Sequence, residues 1–188
     1  ARFMGESGYF VTYEQVDPLF SVDLSDPEKP KILGKLKIPG LSEYLHFYGE
    51  DRLLGIGMST DEESGVAEGV KITMFNISDR SDVKEESTLV LDDLYGSHAA
   101  YDYKSVLADP EKNVIGLSGY SQNGESYYLL TYNRTDRKFE TILQEEVNGN
   151  TSQGIRGIYI EDTLYVISGN IIEAYDMNTG VKSGDIIL

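Results

Sequence analysis

The residue types that commonly perform catalysis or hold metals are scarce in this 188-residue chain. It has no cysteine and only two histidines, His46 and His98. Zinc sites need several His, Cys or carboxylate ligands at close spacing, and neither histidine has such neighbours. No Gly-x-Ser-x-Gly turn is present to expose a serine nucleophile. The sequence therefore predicts a wall position on an inner strand for His46 and gives no catalytic residue.

Carboxylates are abundant, with 32 acidic against 16 basic residues. The acidic loop between Asp61 and Gly69 is the best candidate for Ca²⁺, the one cofactor that the sequence leaves open, with the candidate ligands Asp61, Glu62, Glu63 and Glu68. No Asp-x-Asp-x-Asp-Gly loop accompanies them, and adjacent acids in loops are usually only solvated. Paired carboxylates could also serve a glycan-active hydrolase or lyase.

Tyrosine and arginine give the strongest binding signal, because they supply much binding energy from few contacts. Tyr101 and Tyr103 precede the third of four repeats, and Tyr44, His46 and Arg156 occupy comparable places in the second and fourth. If these positions meet at one edge of the fold, they form a ligand-binding surface. The alternative is that they only pack between sheets.

The net charge of −16 excludes nucleic acid as a partner, because a phosphate backbone is bound by clustered Lys and Arg. The sequence has no run of about 18–20 apolar residues, so it predicts no membrane-spanning helix. An apolar content of 40% with 14 tyrosines is typical of a globular protein with a substantial core.

Four copies of one strand pattern organise the chain. Each copy has an apolar hairpin, a third strand ending in a hydrophobe followed by Asp or Asn, and a more polar fourth strand. The Asp or Asn can accept hydrogen bonds from backbone amides two residues on, which ends the strand. The four pairs are Val22-Asp23, Phe75-Asn76, Tyr132-Asn133 and Tyr175-Asp176.

A repeat of this kind, at a period of about 40–50 residues, is typical of propeller blades. We predict an all-β fold, a β-propeller with four blades of four antiparallel strands, forming part of a larger propeller. The approximate blade bounds are 1–40, 41–94, 95–150 and 151–188 of a single propeller region. A β-sandwich with coincidental repeats is the alternative architecture.

Several stretches of the sequence carry a family resemblance. The longest runs from Val16 to Lys31 and continues through Leu36–Gly40 to Tyr44–His46. The shorter ones are Gly69–Ile72 with Phe75–Asp79, Tyr101–Ser105 with Asp109–Asn113, and Gly157–Ile160 with Leu164–Ser168. Together they resemble a family of secreted bacterial β-propeller proteins distantly related to WD-40 repeats. Phe47 and Tyr103 stand where members often carry Pro and His. The resemblance implies an exported or cell-surface protein with no assigned catalytic residues.

The sequence thus favours a non-catalytic, extracytoplasmic binding module for a protein or glycan at the cell surface. Its candidate contacts are Tyr44, His46, Tyr101, Tyr103 and Arg156. A hydrolase or lyase using carboxylates in the propeller channel is the alternative, and a spacer between other domains is a third role.

Blades bury apolar faces against both neighbours, so terminal blades of an open array expose adhesive surface. We expect the four blades either to close on themselves or to pair with a second copy. Light scattering at micromolar concentration distinguishes these outcomes from an open monomer, which would contradict the expectation.

Overall fold

The computed structural model of this chain describes residues 1–12, 17–38, 40–61, 63–148 and 154–188. The described residues form seventeen β-strands in four antiparallel sheets. Their only helical segments are two 3₁₀ turns of three residues each, and neither has the length or apolar character to cross a membrane. The predicted all-β fold with four repeated sheets is confirmed.

Two compact units divide the chain, Ala1–Asp92 and Asp93–Leu188, called unit 1 and unit 2 below. Unit 1 has two sheets whose strands pair in chain order. Sheet 1 contains β1 (Arg2–Met4), β2 (Ser7–Val11), β3 (Asp17–Asp23) and β4 (Lys31–Ile38). Sheet 2 contains β5 (Leu41–Phe47), β6 (Arg52–Thr60), β7 (Ala67–Asn76) and β8 (Lys84–Leu91).

Unit 2 repeats this arrangement with one addition. Sheet 3 contains β9 (Leu94–Ser97), β10 (Leu107–Asp109), β11 (Val114–Ser121), β12 (Gly124–Asn133) and β13 (Lys138–Glu146). Sheet 4 contains β14 (Ile155–Ile160), β15 (Thr163–Ser168), β16 (Ile171–Asp176) and β17 (Lys182–Ile187). The fifth strand, β9, was not predicted from the sequence.

The repeated Asp/Asn turn forms as predicted in all four sheets. In each, the side-chain Oδ1 accepts a hydrogen bond of 3.0 Å from the backbone N–H two residues on. The four pairs are Asp23 with Ser25, Asn76 with Ser78, Asn133 with Thr135, and Asp176 with Asn178. These bonds satisfy the backbone at the end of the third strand and direct the chain into the fourth.

Apolar side chains from paired sheets form one core cluster in each unit. The cluster in unit 1 contains Tyr9, Leu19, Ile38, Leu45, Leu53, Phe75, Ile77 and Val83. The cluster in unit 2 contains Val114, Tyr127, Leu129, Leu143, Ile155, Leu164, Val166, Tyr175 and Met177. In both units, side chains of one sheet contact the facing sheet. Successive residues of β6 and β11 are buried, so sheets 2 and 3 are buried on both sides, whereas sheets 1 and 4 each have an exposed side.

Each unit also has an exposed apolar sheet face. On sheet 1 this face includes Phe3 and Ile32, and on sheet 4 it includes Ile158 and Ile186, all four being exposed. Ile158 pairs with Tyr165 across the strands, and Ile186 pairs with Ile172, so the apolar residues of sheet 4 share one side. These faces support the predicted self-association, which stays a prediction.

The first strand of sheet 3 is split into β9 and β10, and both halves pair with β11. Leu107 of β10 lies opposite Gly116, and Ser97 of β9 lies opposite Gly119. Residues 98–106 therefore leave the edge of the sheet and return to it about 10 Å further along β11. β10 begins at Leu107, after Ser105 has ended the second 3₁₀ turn.

Sheets 3 and 4 meet closely around Tyr127 of β12, which is completely buried. A Cβ atom at Gly157 of β14 would lie 1.8 Å from the Tyr127 hydroxyl oxygen, and one at Gly116 would lie 2.1 Å from it. Such distances exclude any side chain at either position unless the sheets separate. Glycine at these two positions therefore determines how closely the ring packs.

We expect Gly157→Ala to lower the free energy of unfolding of unit 2 by about 2–4 kcal/mol, because the methyl group overlaps the Tyr127 ring. Chemical denaturation followed by circular dichroism measures the change. Gly184→Ala on β17 is the matched control, since no atom lies within 4 Å of the added methyl group. Equal stability of the two variants would show that the sheets can separate without cost.

Candidate binding surface

Residues 98–106, called the tyrosine segment below, are held in two capped 3₁₀ turns. The first turn spans His98–Ala100, and the Ser97 hydroxyl accepts a hydrogen bond from the backbone N–H of Ala99. The second spans Tyr103–Ser105, and Asp102 accepts from the N–H of Lys104 at 3.0 Å. Side-chain caps of this kind satisfy amides that the short turns leave free. The segment therefore has a defined conformation although it is outside the sheet.

His98 anchors the tyrosine segment to sheet 3. Its imidazole is buried, with Nδ1 hydrogen-bonded to the Ser118 hydroxyl at 3.0 Å. Nε2 lies 3.2 Å from Oε2 of Glu125, within ion-pair distance but without hydrogen-bond alignment. The Ser97 hydroxyl also donates to the backbone carbonyl of Ser118 at 2.9 Å. The segment is thus fastened to β11 at its first residues.

Two tyrosine rings pack against the His98 ring in T-shaped arrangements. The ring centroids of Tyr101 and Tyr120 lie 5.6 Å and 5.5 Å from that of His98. Tyr101 is 68% exposed and Tyr120 is 37% exposed, so both rings present surface to solvent. Burial of the hydroxyl raises the pKa of Tyr101, and the neighbouring Tyr120 and Glu125 raise it further. A partly buried carboxylate therefore lies close to an exposed aromatic pair.

Tyr103 is 64% exposed, and the ammonium of Lys104 lies 5.9 Å from the centre of its ring. Arg156 is exposed on β14, the strand that packs beside the second 3₁₀ turn. The predicted residues Tyr101, Tyr103 and Arg156 thus lie on neighbouring elements of unit 2. Their role in binding stays a prediction.

Ser118, His98 and Glu125 have the composition of a catalytic triad but not its accessibility. The Ser118 side chain is fully buried in the middle of β11. A nucleophile must reach its substrate, and no strained turn exposes this hydroxyl. His98 and Ser118 therefore position the tyrosine segment, and the hydrogen bond between them provides the rigidity.

The other two predicted residues, Tyr44 and His46, lie in unit 1 and contact each other. The Tyr44 hydroxyl is hydrogen-bonded to Nδ1 of His46 at 2.9 Å. The guanidinium of Arg2 lies 4.7 Å from the centre of the Tyr44 ring, and its Nε donates to the carbonyl of Leu45. Tyr44 is buried. Burial lowers the pKa of His46, and the positive charge of Arg2 lowers it further.

The predicted calcium ligands make local contacts. Asp61 accepts hydrogen bonds from the Ser64 amide at 2.8 Å and from the Ser64 hydroxyl at 2.7 Å, and these bonds lower the pKa of Asp61. Glu68 accepts from the Ser59 hydroxyl at 2.9 Å. Glu63 is exposed, and Glu62 lies outside the described residues. Among those described, no three His, Cys, Asp or Glu side chains form a metal-binding group. Calcium binding stays a prediction.

Four residues of this surface were missed as contributors, namely His98, Ser118, Tyr120 and Glu125. The only sequence signal was the rarity of histidine. Tyr120 and Glu125 lie on either side of the hairpin between β11 and β12, and strand pairing brings them opposite each other. That register could be inferred only after the hairpin turn at Ser121–Gly124 had been identified.

We expect His46 to titrate below the ordinary histidine pKa of about 6.5 in the folded chain. The unfolded chain then binds more protons between the two pKa values, so stability falls as the pH drops through about 6.5. Proton NMR of the imidazole C–H signals measures the pKa directly, because there are only two histidines.

Arg2→Met should raise the pKa of His46, since it removes the neighbouring positive charge. Lys35→Met is the matched control, because Lys35 contacts the Phe20 ring instead. A pKa for His46 at or above 6.5 would contradict its burial.

This chain is similar to known proteins in sequence and in fold. The family model described as the beta propeller domain matches residues 1–180. An uncharacterised protein of Archaeoglobus fulgidus is 39% identical over 187 residues, covering 100% of this chain and 27% of that protein. An uncharacterised protein of Methanocaldococcus jannaschii is 35% identical over 177 residues, covering 94% of this chain and 26% of that protein. The chain therefore spans about a quarter of the length of these relatives.

Both relatives are archaeal, so they lend no support to the bacterial origin that the sequence resemblance implied. Two solved structures share the fold at low sequence identity. The Saccharomyces cerevisiae protein Sqt1 has a TM-score of 0.59 at 15% identity, with 92% of this chain and 44% of that chain covered. A Lactobacillus plantarum protein has a TM-score of 0.55 at 13% identity, with 92% and 53% covered.

The repeated four-stranded sheets, the match over residues 1–180 and the shared fold agree with one another. The chain belongs to the beta propeller domain family.

Proposed function

We propose that this chain is a non-catalytic binding module that holds a protein or glycan partner on the tyrosine segment. The observation that carries the proposal is the rigid display of exposed aromatic rings. Tyr101 and Tyr103 are both largely exposed, whereas His98 at the base of the same segment is buried and hydrogen-bonded. Ordering a loop before binding reduces the entropy lost on association, so a fixed tyrosine surface suits recognition.

The proposed location is outside the cytoplasm, at the cell surface. The support for it is the sequence resemblance of residues 16–46 to exported propeller proteins. Two of the five predicted contacts, Tyr101 and Tyr103, are assigned to this surface. Arg156 shares the side of β14 that carries the exposed Ile158, opposite to the side that meets Tyr127, and is not assigned to it. Tyr44 and His46 are assigned a packing role in unit 1, because their polar groups bond to each other.

A thermal-shift screen against oligosaccharides and Ca²⁺ tests the proposal. A ligand that binds only the folded chain, present at about 100 times its Kd, stabilises it by about 2.7 kcal/mol. We expect the Tyr101→Ala/Tyr103→Ala variant to lose the shift caused by a glycan ligand while keeping the melting temperature of the free chain. Both side chains are exposed, so their removal leaves the core intact.

Tyr95→Ala is the matched control, because Tyr95 is equally exposed but lies on β9, outside the tyrosine segment. A ligand shift that survives in the double variant would place binding elsewhere. Chromatography of each glycan after incubation provides a second readout. Detection of cleavage products would contradict the non-catalytic binding module and support the hydrolase or lyase alternative.

A further inference from the structure

We propose that Tyr101, Tyr120 and Glu125 together bind the ammonium group of a lysine side chain on a protein partner. The inference rests on the proposed binding function and specifies the chemistry that the tyrosine surface recognises. The proposed site combines a carboxylate that lacks a permanent positive partner with two exposed aromatic rings beside that carboxylate.

Glu125 supplies the negative charge. Its side chain is only 21% exposed, and the one cationic neighbour that the described residues offer within ion-pair distance is the His98 imidazole, which is charged only when protonated. A carboxylate withdrawn from water without a fixed counter-charge is destabilised. An ammonium ion from a partner offsets that cost, so the free protein favours a cationic ligand here.

Tyr101 and Tyr120 supply the aromatic faces. Both rings stand nearly perpendicular to the His98 ring, at interplanar angles of 73° and 83°. Tyr120 is further fixed because its ring lies over Gly96, where an added Cβ would be 2.7 Å from the ring and hydroxyl atoms. The negative face of an aromatic ring attracts a cation within about 6 Å of its centre. Aromatic faces beside a carboxylate form a site for an organic cation.

The geometry favours an ammonium over a guanidinium. Oε2 of Glu125 is buried against His98, which leaves the other carboxylate oxygen to contact a ligand. Arginine binds carboxylates best through two parallel hydrogen bonds, whereas lysine acts as a compact point charge that one oxygen can accept.

The openness of the site favours a side chain of a protein over a free small amine. Tyr101 is two-thirds exposed and Tyr120 more than one-third, so the rings do not enclose a ligand on several sides. Small-molecule sites bury most of their ligand, whereas a protein partner adds contact area around one anchoring side chain. The net charge of −16 also attracts basic protein surfaces.

NMR titration of this chain at pH 7.5 with the peptide acetyl-Gly-Lys-Gly-amide tests the inference. We expect shifts of the Tyr101, Tyr120 and His98 ring signals, with at least about fivefold weaker binding once the lysine is acetylated. Glu125→Gln should weaken binding by a similar factor, and Tyr95→Ala should leave it unchanged. The acetylation comparison uses the unmodified protein, so it holds even where a variant fails to fold.

Equal binding of the lysine and acetyl-lysine peptides would overturn the ammonium assignment and leave the proposed tyrosine surface standing. No detectable shift with the lysine peptide at millimolar concentration would also overturn it. Choline, a quaternary ammonium, binding more tightly than the peptide would assign the site to a small free organic cation and contradict a protein partner. Lysine-dependent shifts that persist in Tyr101→Ala would place the cation elsewhere and count against both proposals.

Discussion

Each sheet of this chain is stable because a second sheet covers one of its apolar sides. The clusters around Phe75 in unit 1 and Tyr127 in unit 2 both form in this way, and each combines side chains of two sheets. A four-stranded sheet alone buries too little area to offset the entropy of ordering its strands. The architecture of the chain follows from this requirement, since every repeat must supply one covering surface and accept another.

Much of this architecture could be predicted from residue patterns, because it depends on local rules. The Asp or Asn that ends each third strand bonds to an amide two residues away, and so its position in the sequence suffices to locate it. The split of the first strand of sheet 3 could not be predicted. Leu94–Ser97 and Leu107–Asp109 are short, and only their common pairing with β11 shows that they form one edge.

The candidate binding surface could be inferred from the sequence only in part, because local patterns do not show which strands pair. Tyr101 and Tyr103 are recognisable as tyrosines in a turn-rich stretch. Tyr120 and Glu125 come later in the chain, and only the pairing of the strands brings them close to that stretch. The buried His98–Ser118 bond gives the surface its rigidity, and it joins residues 20 positions apart. Burying a polar group costs free energy unless the group is hydrogen-bonded. The segment therefore keeps the one conformation in which His98 and Ser118 bond to each other.

Because β9 and β10 both pair with β11, the length of the tyrosine segment between them can vary without changing the sheet. Its two ends are held by β11 at neighbouring positions, so the length of chain between them hardly alters the entropy of closing the loop. Residues 100–104 can therefore change in number or type while sheet 3 keeps its register, whereas His98 is held by Ser118. A substitution there alters the exposed surface of unit 2 and leaves the pairing of its strands as it is.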